Sequence, residues 1–185
     1  MTALAYPSLA CWALLEVGLR VREAVQGNGG RNRDRGTRVL IAISLGAAIA
    51  AASAAASAAP SLRTPSAVRV FGVIVMWLGL ATRVWAVAAL GGAFRTTVEV
   101  DPDQAVVTTG PYRWIRHPSY AGLLLLLAGL GLAFGNWLSM AACLVLPPPA
   151  LAWRIHVEEA ELSRVLGDAY RVYQTRTARL IPGLW

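Results

Sequence analysis

Gly110-Pro111-Tyr112-Arg113-Trp114-Ile115-Arg116-His117-Pro118-Ser119-Tyr120 runs, after Ala121-Gly122, into five consecutive leucines, Leu123 to Leu127. Titratable and aromatic groups thus abut a purely apolar run. A second polar cluster, Arg154-Ile155-His156-Val157-Glu158-Glu159, closes the next apolar run. Charge set against hydrocarbon is costly and is usually kept for function. The two apolar runs, 119–134 and 137–153, are joined at Gly135-Asn136, a good turn pair. At about 1.5 Å per residue each only just spans a bilayer core. The pattern predicts a tight helical hairpin in a membrane, with both polar clusters at one end.

Working outward, three further apolar runs precede the hairpin: 4–19, 39–59 and 67–90. Glu16 sits near the end of the first, and Arg83 interrupts the third. The second is dominated by Ala and Ser, small residues that let membrane helices approach closely. Pro147-Pro148-Pro149 interrupts the second arm of the hairpin. Proline removes a backbone donor and clashes with the preceding turn, so a broken or strongly kinked helix is expected there. Irregular backbone at that depth is buried in protein or lines a cavity. The tail, 154–185, reads as an amphipathic helix with Leu162, Val165, Leu166 and Tyr170 at helical spacing. Gly167 is a candidate early stop. Asp101-Pro102-Asp103 reads as a turn.

Composition supports the membrane reading. The 185 residues are 56% hydrophobic and 15% charged, against about 25% charged in a typical soluble domain. The expected fold is an all-α integral membrane protein of about five transmembrane helices. The last two form the short hairpin, and a cytoplasmic C-terminal helix follows. An N-terminal two-helix portion (1–66) precedes a core (67–185) within one domain. The net charge of +7 comes from arginines flanking apolar spans, which suits anionic headgroups and not nucleic acid. Arg20, Arg22, Arg31, Arg33, Arg35 and Arg38 surround the first loop, and Arg95, Arg113, Arg116 and the tail arginines fall on the same side. Only Arg63 and Arg69 fall opposite. The N-terminus is therefore expected outside, and the 91–118 segment and the tail inside. The absence of lysine reads as GC-rich codon bias, hence a bacterial inner membrane. No signal peptide is expected. Cys11 and Cys143 lie in apolar runs without metal or redox spacing, so no metal site is expected. The glycine-rich 27–36 segment lacks the context of a phosphate cradle and reads as a linker.

Arg154 and Glu158 stand four apart, so they share a helix face. Tyr112, Trp114 and Tyr120 offer aromatic faces to a cation, and Arg116 or His117 can meet a carboxylate. Plainer readings exist for each. Arg154–Glu158 can be a surface pair worth roughly 0.2–0.5 kcal/mol. His117 can be a helix-entry residue. Arg83 can snorkel, and Arg113 can contact headgroups. Trp137 and Trp153 suit interfacial anchoring, and His156 packing or solvent. No nucleophile–base pair is apparent.

The Gly110–Tyr120 motif, with Glu158-Glu159 and the later Gly167, Tyr170, Tyr173 and Pro182, resembles the isoprenylcysteine carboxyl methyltransferase family. The related phospholipid N-methyltransferases share much of the pattern. The resemblance covers about 79–182 and implies a helical membrane enzyme using S-adenosylmethionine, with S-adenosylhomocysteine as product. It implies cofactor contacts from Tyr112, from His117, Pro118, Ser119 and Tyr120, and from the strip Gln104, Ala105, Val106 and Val107. Thr97 falls where relatives use a polar contact. Glu158 matches a cofactor-binding glutamate, and Glu159 is implicated in the phospholipid branch. Arg154 matches an arginine assigned to the acceptor. The triple proline departs from the family pattern. The implied reaction is methyl transfer to a lipophilic small-molecule or lipidated acceptor, with isoprenylcysteine carboxyl O-methylation foremost. A long-chain phenolic or polyketide lipid and a phospholipid amine are alternatives. A non-catalytic transport or assembly subunit is the competing class, argued from Arg83 and the proline break.

Overall fold

The computed structural model describes residues 5–26, 36–93, 104–183 and 185. Thr97, Arg95, the Asp101-Pro102-Asp103 turn and the linker up to Arg35 lie outside them. The described helices are α1 (Ala5–Gln26), α2 (Thr37–Ala58), α3 (Ser66–Leu90), α4 (Pro118–Ala133), α5 (Trp137–Val145) and α6 (Pro147–Arg176). By length and hydropathy α2, α3 and the α5–α6 stretch can each cross a membrane, and α4 is a shorter apolar helix.

Helices α3 and α4 form the most extensive pair. Lipid tails are as apolar as leucine, so close packing and not water exclusion must hold such a pair. Glycines spaced by seven supply it: Gly72 and Gly79 on α3, Gly122 and Gly129 on α4. A Cβ on Gly79 would lie 2.4 Å from the Leu126 amide nitrogen, and one on Gly129 2.3 Å from that of Met76. Both are backbone contacts that no rotamer change relieves. Around this seam Met76, Leu123, Leu127, Leu130, Cys143 and Leu151 form the buried core.

The expected hairpin turn is present. Asn136, wholly buried, accepts from the Leu138 and Ser139 amides and so caps α5. Its Nδ2 donates to the carbonyls of Ala55 (3.2 Å) and Ala59 (2.7 Å) at the end of α2. One side chain thus satisfies orphan amides at the start of α5 and adds a second donor to two α2-end carbonyls that already accept from the Ala59 and Leu62 amides.

The triple proline breaks the helix as expected. α5 stops at Val145 and α6 restarts at Pro147, because a first-turn residue needs no amide donor. The tail departs from expectation. α6 begins at Pro147 and not at Arg154, so the second polar cluster lies inside it. It also ends at Arg176. Residues 177–183 are not helical, and Ala178 pairs with Ile115 in a parallel bridge. At Gly167 (φ 57°, ψ −132°) the backbone leaves helical geometry, so α6 is two helical pieces meeting at a kink, the early break expected there. That conformation is accessible essentially to glycine alone.

Candidate active site

One stripe of α6 carries Leu151, Arg154, Glu158, Leu162 and Leu166 at spacings of three and four, and Tyr170 joins it from beyond the Gly167 kink. The stripe faces a cavity of about 490 Å³ whose other walls come from α1, α2, α3, the 104–107 strip and the start of α4. One end is polar, with Gln104, Tyr112, His117, Tyr120, Glu158 and Tyr173. The arm that α1 and α2 add is mostly apolar, with Trp12, Ala13, Ile41, Leu45 and Ile49, although Glu16, Arg20 and Arg38 of the same helices also line the cavity.

Where the two ends meet, Tyr120 donates to Glu158 Oε2 at 2.7 Å. Arg154 Nε donates to the Tyr120 hydroxyl oxygen at 3.1 Å and lies 3.7 Å from Glu158 Oε2. Arg154 Nη1 donates to Thr37 Oγ1 at 2.9 Å, which ties α6 to the first turn of α2. The Arg154 side chain is 2% exposed and that of Glu158 29%. This is no surface pair. The arginine is fixed from two sides and the carboxylate remains open to the cavity.

The neighbouring Glu159 points elsewhere, since consecutive helical residues differ by about 100°. It accepts from Arg116 Nε (2.8 Å) and Arg179 Nε (2.9 Å), and its Oε1 lies 3.3 Å from His117 Nε2. Arg116 also donates to the carbonyls of Gln174 (3.0 Å) and Thr177 at the C-terminal end of α6. A cation there complements the helix dipole. Arg116 is therefore committed to holding α6 and the returning tail. His117 lines the cavity and stacks on Tyr120 at 5.7 Å, while its Nε2 faces Glu159.

Of the residues singled out in the sequence, Gln104, Val106, Val107, Tyr112, His117, Ser119, Tyr120, Arg154 and Glu158 share the cavity wall. Ala105 is exposed, and Pro118 and Glu159 are buried behind that wall. Pro118 opens α4 at its first position. The Tyr173 hydroxyl donates to the Tyr112 carbonyl at 2.7 Å, which fixes the strip against α6. Burial and the nearby Glu158 charge push the Tyr112 phenol above its ordinary value. It stays a neutral donor at physiological pH.

Arg83 is 6% exposed and does not snorkel. Its Nε donates to Glu16 Oε1 at 2.6 Å, and its Nη1 to Ser119 Oγ at 2.6 Å and Ser119 O at 3.2 Å. Trp12 Nε1 adds a 3.0 Å bond to the same Glu16 oxygen. One buried cation thus joins α1, α3 and the start of α4 at the cavity wall. A carboxylate and an arginine in separate apolar runs are a readable signal for such a pair, but their partnership is tertiary. Arg113 lies over the Trp114 ring at 4.2 Å, and His156 is exposed beside Trp153.

These features define an α-helical integral membrane protein with one cavity running from a tyrosine-lined polar end to an apolar arm. The chain belongs to the isoprenylcysteine carboxyl methyltransferase family, whose sequence model matches residues 72–164. It is similar to protein-S-isoprenylcysteine O-methyltransferase A of Arabidopsis thaliana, 31% identical over 125 residues, covering 66% of this chain and 64% of that protein. The Saccharomyces cerevisiae protein-S-isoprenylcysteine O-methyltransferase is 32% identical over 115 residues, 61% of this chain and 48% of that one. An uncharacterized Bacillus subtilis protein, YpbQ, is 31% identical over 94 residues, 46% of this chain and 56% of its own. A solved structure of the eukaryotic intramembrane Ras methyltransferase, isoprenylcysteine carboxyl methyltransferase, superposes with a TM-score of 0.66 at 28% identity. The match covers 77% of this chain and 52% of that one. The chain thus spans about half to two-thirds of the length of these relatives.

Proposed function

We propose that the protein is an S-adenosylmethionine-dependent methyltransferase acting on a lipophilic carboxylate of the isoprenylcysteine type. The observation that carries the reading is the Arg154–Tyr120–Glu158 chain at the junction of the polar and apolar ends of one cavity. The polar end suits the cofactor's chemistry. Glu158 offers a carboxylate to an ammonium group, a charge-assisted bond that is strong at a partly dry site. Tyr112, Tyr120 and Tyr173 offer ring faces to a cation or an adenine. Pro111 and Pro118 stiffen the strip and lower its ordering cost.

When bound, the cofactor supplies an electrophilic methyl group, whose carbon–sulfur bond breaks as an acceptor oxygen bonds to carbon. The protein's part is alignment. Arg154, already held by Thr37 and Tyr120, presents its guanidinium to an acceptor carboxylate. A carboxylate is ionised at neutral pH and needs no general base. Proximity and partial desolvation then lower the barrier. Tyr120 links the two anchors, and Glu159, Arg116 and Arg83 act as positioning residues. Pro118 and Glu159 belong to this assignment as supports behind the cavity wall, and the exposed Ala105 as part of the strip that carries Gln104 and Val106.

The reading includes five spans, an N-terminus outside, and a cavity opening to the cytoplasm of a bacterial cell. The 1–66 portion completes the apolar arm and 67–185 carries the cofactor end. The test is transfer of labelled methyl from S-adenosylmethionine into a panel of lipid acids, phenols, amines and thiols. Label in the thioether acids supports the proposal. Label confined to phenols or amines reassigns the acceptor, and no label in any class rejects the enzyme.

A further inference from the structure

The α2 wall of the cavity is a single stripe: Arg38, Ile41, Ala42, Leu45, Gly46 and Ile49. It starts beside Thr37, the residue that fixes Arg154. At about 1.5 Å per residue, Gly46 stands about 14 Å along α2 from that anchor and Ile49 about 18 Å.

Glycine in a helix interior lowers stability relative to alanine, so a reason is needed at position 46. A positive φ is not the reason, since Gly46 is not among the positive-φ glycines. Close helix contact is not the reason either. A Cβ built on Gly46 meets nothing within 4 Å, whereas one on Gly72, Gly79, Gly122 or Gly129 meets backbone at 2.8 Å or less. What position 46 borders is the open arm of the cavity, with Ala42 one turn before it and Ile49 nearly one turn beyond. Small residues at 42 and 46 leave a width that branched Ile41, Leu45 and Ile49 do not.

We infer that Gly46 sets the acceptor chain length: its missing side chain keeps the arm open beyond about 14 Å from the Arg154 anchor. The inference rests on the methyltransferase reading for the nature of the acceptor. Its physical content is narrower: a chain anchored by its carboxylate at Arg154 lies along α2 and passes Gly46. A leucine or phenylalanine there fills empty space without touching backbone, so the helix forms and the arm shortens.

The test uses the full-length protein in nanodiscs and thioether carboxylates with alkyl chains of graded length. Binding is measured directly for wild type, Gly46→Ala, Gly46→Leu and Gly46→Phe, with methyl transfer followed in parallel. Wild-type affinity should rise with chain length past the position of Gly46. In Gly46→Phe the ratio of long-chain to short-chain affinity should fall by about fourfold for each methylene excluded. Gly46→Leu should fall between Gly46→Ala and Gly46→Phe. It also serves if the phenylalanine variant does not fold. An unchanged ratio in the leucine and phenylalanine variants overturns the inference, as does an equal loss at every chain length. If methyl is transferred but the ratio does not move, only the inference falls. If the ratio moves and no acceptor is methylated, the arm assignment stands and the methyltransferase reading fails.

Discussion

Gly79→Ala puts a methyl group where α3 meets the backbone of α4. Its Cβ would sit 2.4 Å from the Leu126 nitrogen and 2.6 Å from the Gly122 carbonyl oxygen, whereas ordinary contact begins at 3.4 Å. The helices must part by about 1 Å at that point, since neither partner is a side chain that can rotate. Overpacking of this kind costs about 1–3 kcal/mol, and a backbone clash belongs at the upper end. Alanine's better helix propensity returns about 1 kcal/mol, which leaves a net loss of about 2 kcal/mol. Gly46→Ala is the control, because its Cβ meets nothing and only the propensity gain remains. Unfolding of both variants in detergent, followed by circular dichroism, gives the difference. A local consequence follows one turn on. The Arg83–Ser119 Oγ bond of 2.6 Å would stretch to about 3.6 Å, past hydrogen-bonding range. The variant should therefore also bind S-adenosylhomocysteine more weakly. If Gly79→Ala proves as stable as Gly46→Ala, the backbone seam between α3 and α4 is not as described.

The two adjacent glutamates should separate by role. Glu159→Gln leaves Arg116 and Arg179 without their carboxylate and should cost about 3 kcal/mol of stability. Glu158→Gln should cost little stability, because its carboxylate is partly exposed, yet weaken S-adenosylhomocysteine binding at least about tenfold by loss of a charge-assisted bond; a titration checks the second point and a melt the first. Asn136→Ala removes the α5 cap and the two Nδ2 bonds that tie it to the end of α2, whose carbonyls keep their backbone donors, for a loss of about 2 kcal/mol read from denaturant midpoints. Methyl transfer to a carboxylate acceptor should be flat between about pH 6 and 9, because the acceptor is ionised throughout. Burial raises the Tyr112 phenol, so it stays protonated across that window and adds no inflection. A rate climbing steadily with pH would instead indicate a phenolic acceptor or a required base.

Much of the membrane core was legible because its signals are local. Gly135-Asn136 reads as a turn from two residues, the triple proline as a break from three, and the hairpin runs from hydropathy alone. Arg154 and Glu158 share the cavity wall because four-residue spacing fixes a helix face. The parts that were not legible depend on tertiary partners. Nothing local distinguishes Glu158 from Glu159; one meets a cavity and the other meets Arg179, twenty residues on, only because the tail turns back at Thr177. That return also removed the expected helix beyond Arg176. Arg83 reads equally well as a snorkelling side chain until Glu16 is brought beside it. The seven-residue spacing of Gly72 with Gly79 and of Gly122 with Gly129 is visible in the chain. Its meaning requires knowing that the two helices face each other.

The resting place of the methyl donor's product decides between a cofactor site in this cavity and one elsewhere. A structure of the protein in nanodiscs with S-adenosylhomocysteine should place the amino group within about 3 Å of a Glu158 carboxylate oxygen. The purine should lie among Tyr112, Tyr120 and Tyr173, with the sulfur facing the Arg154 end of the apolar arm. Density outside this cavity, or inside it with Glu158 left uncontacted, would contradict the account.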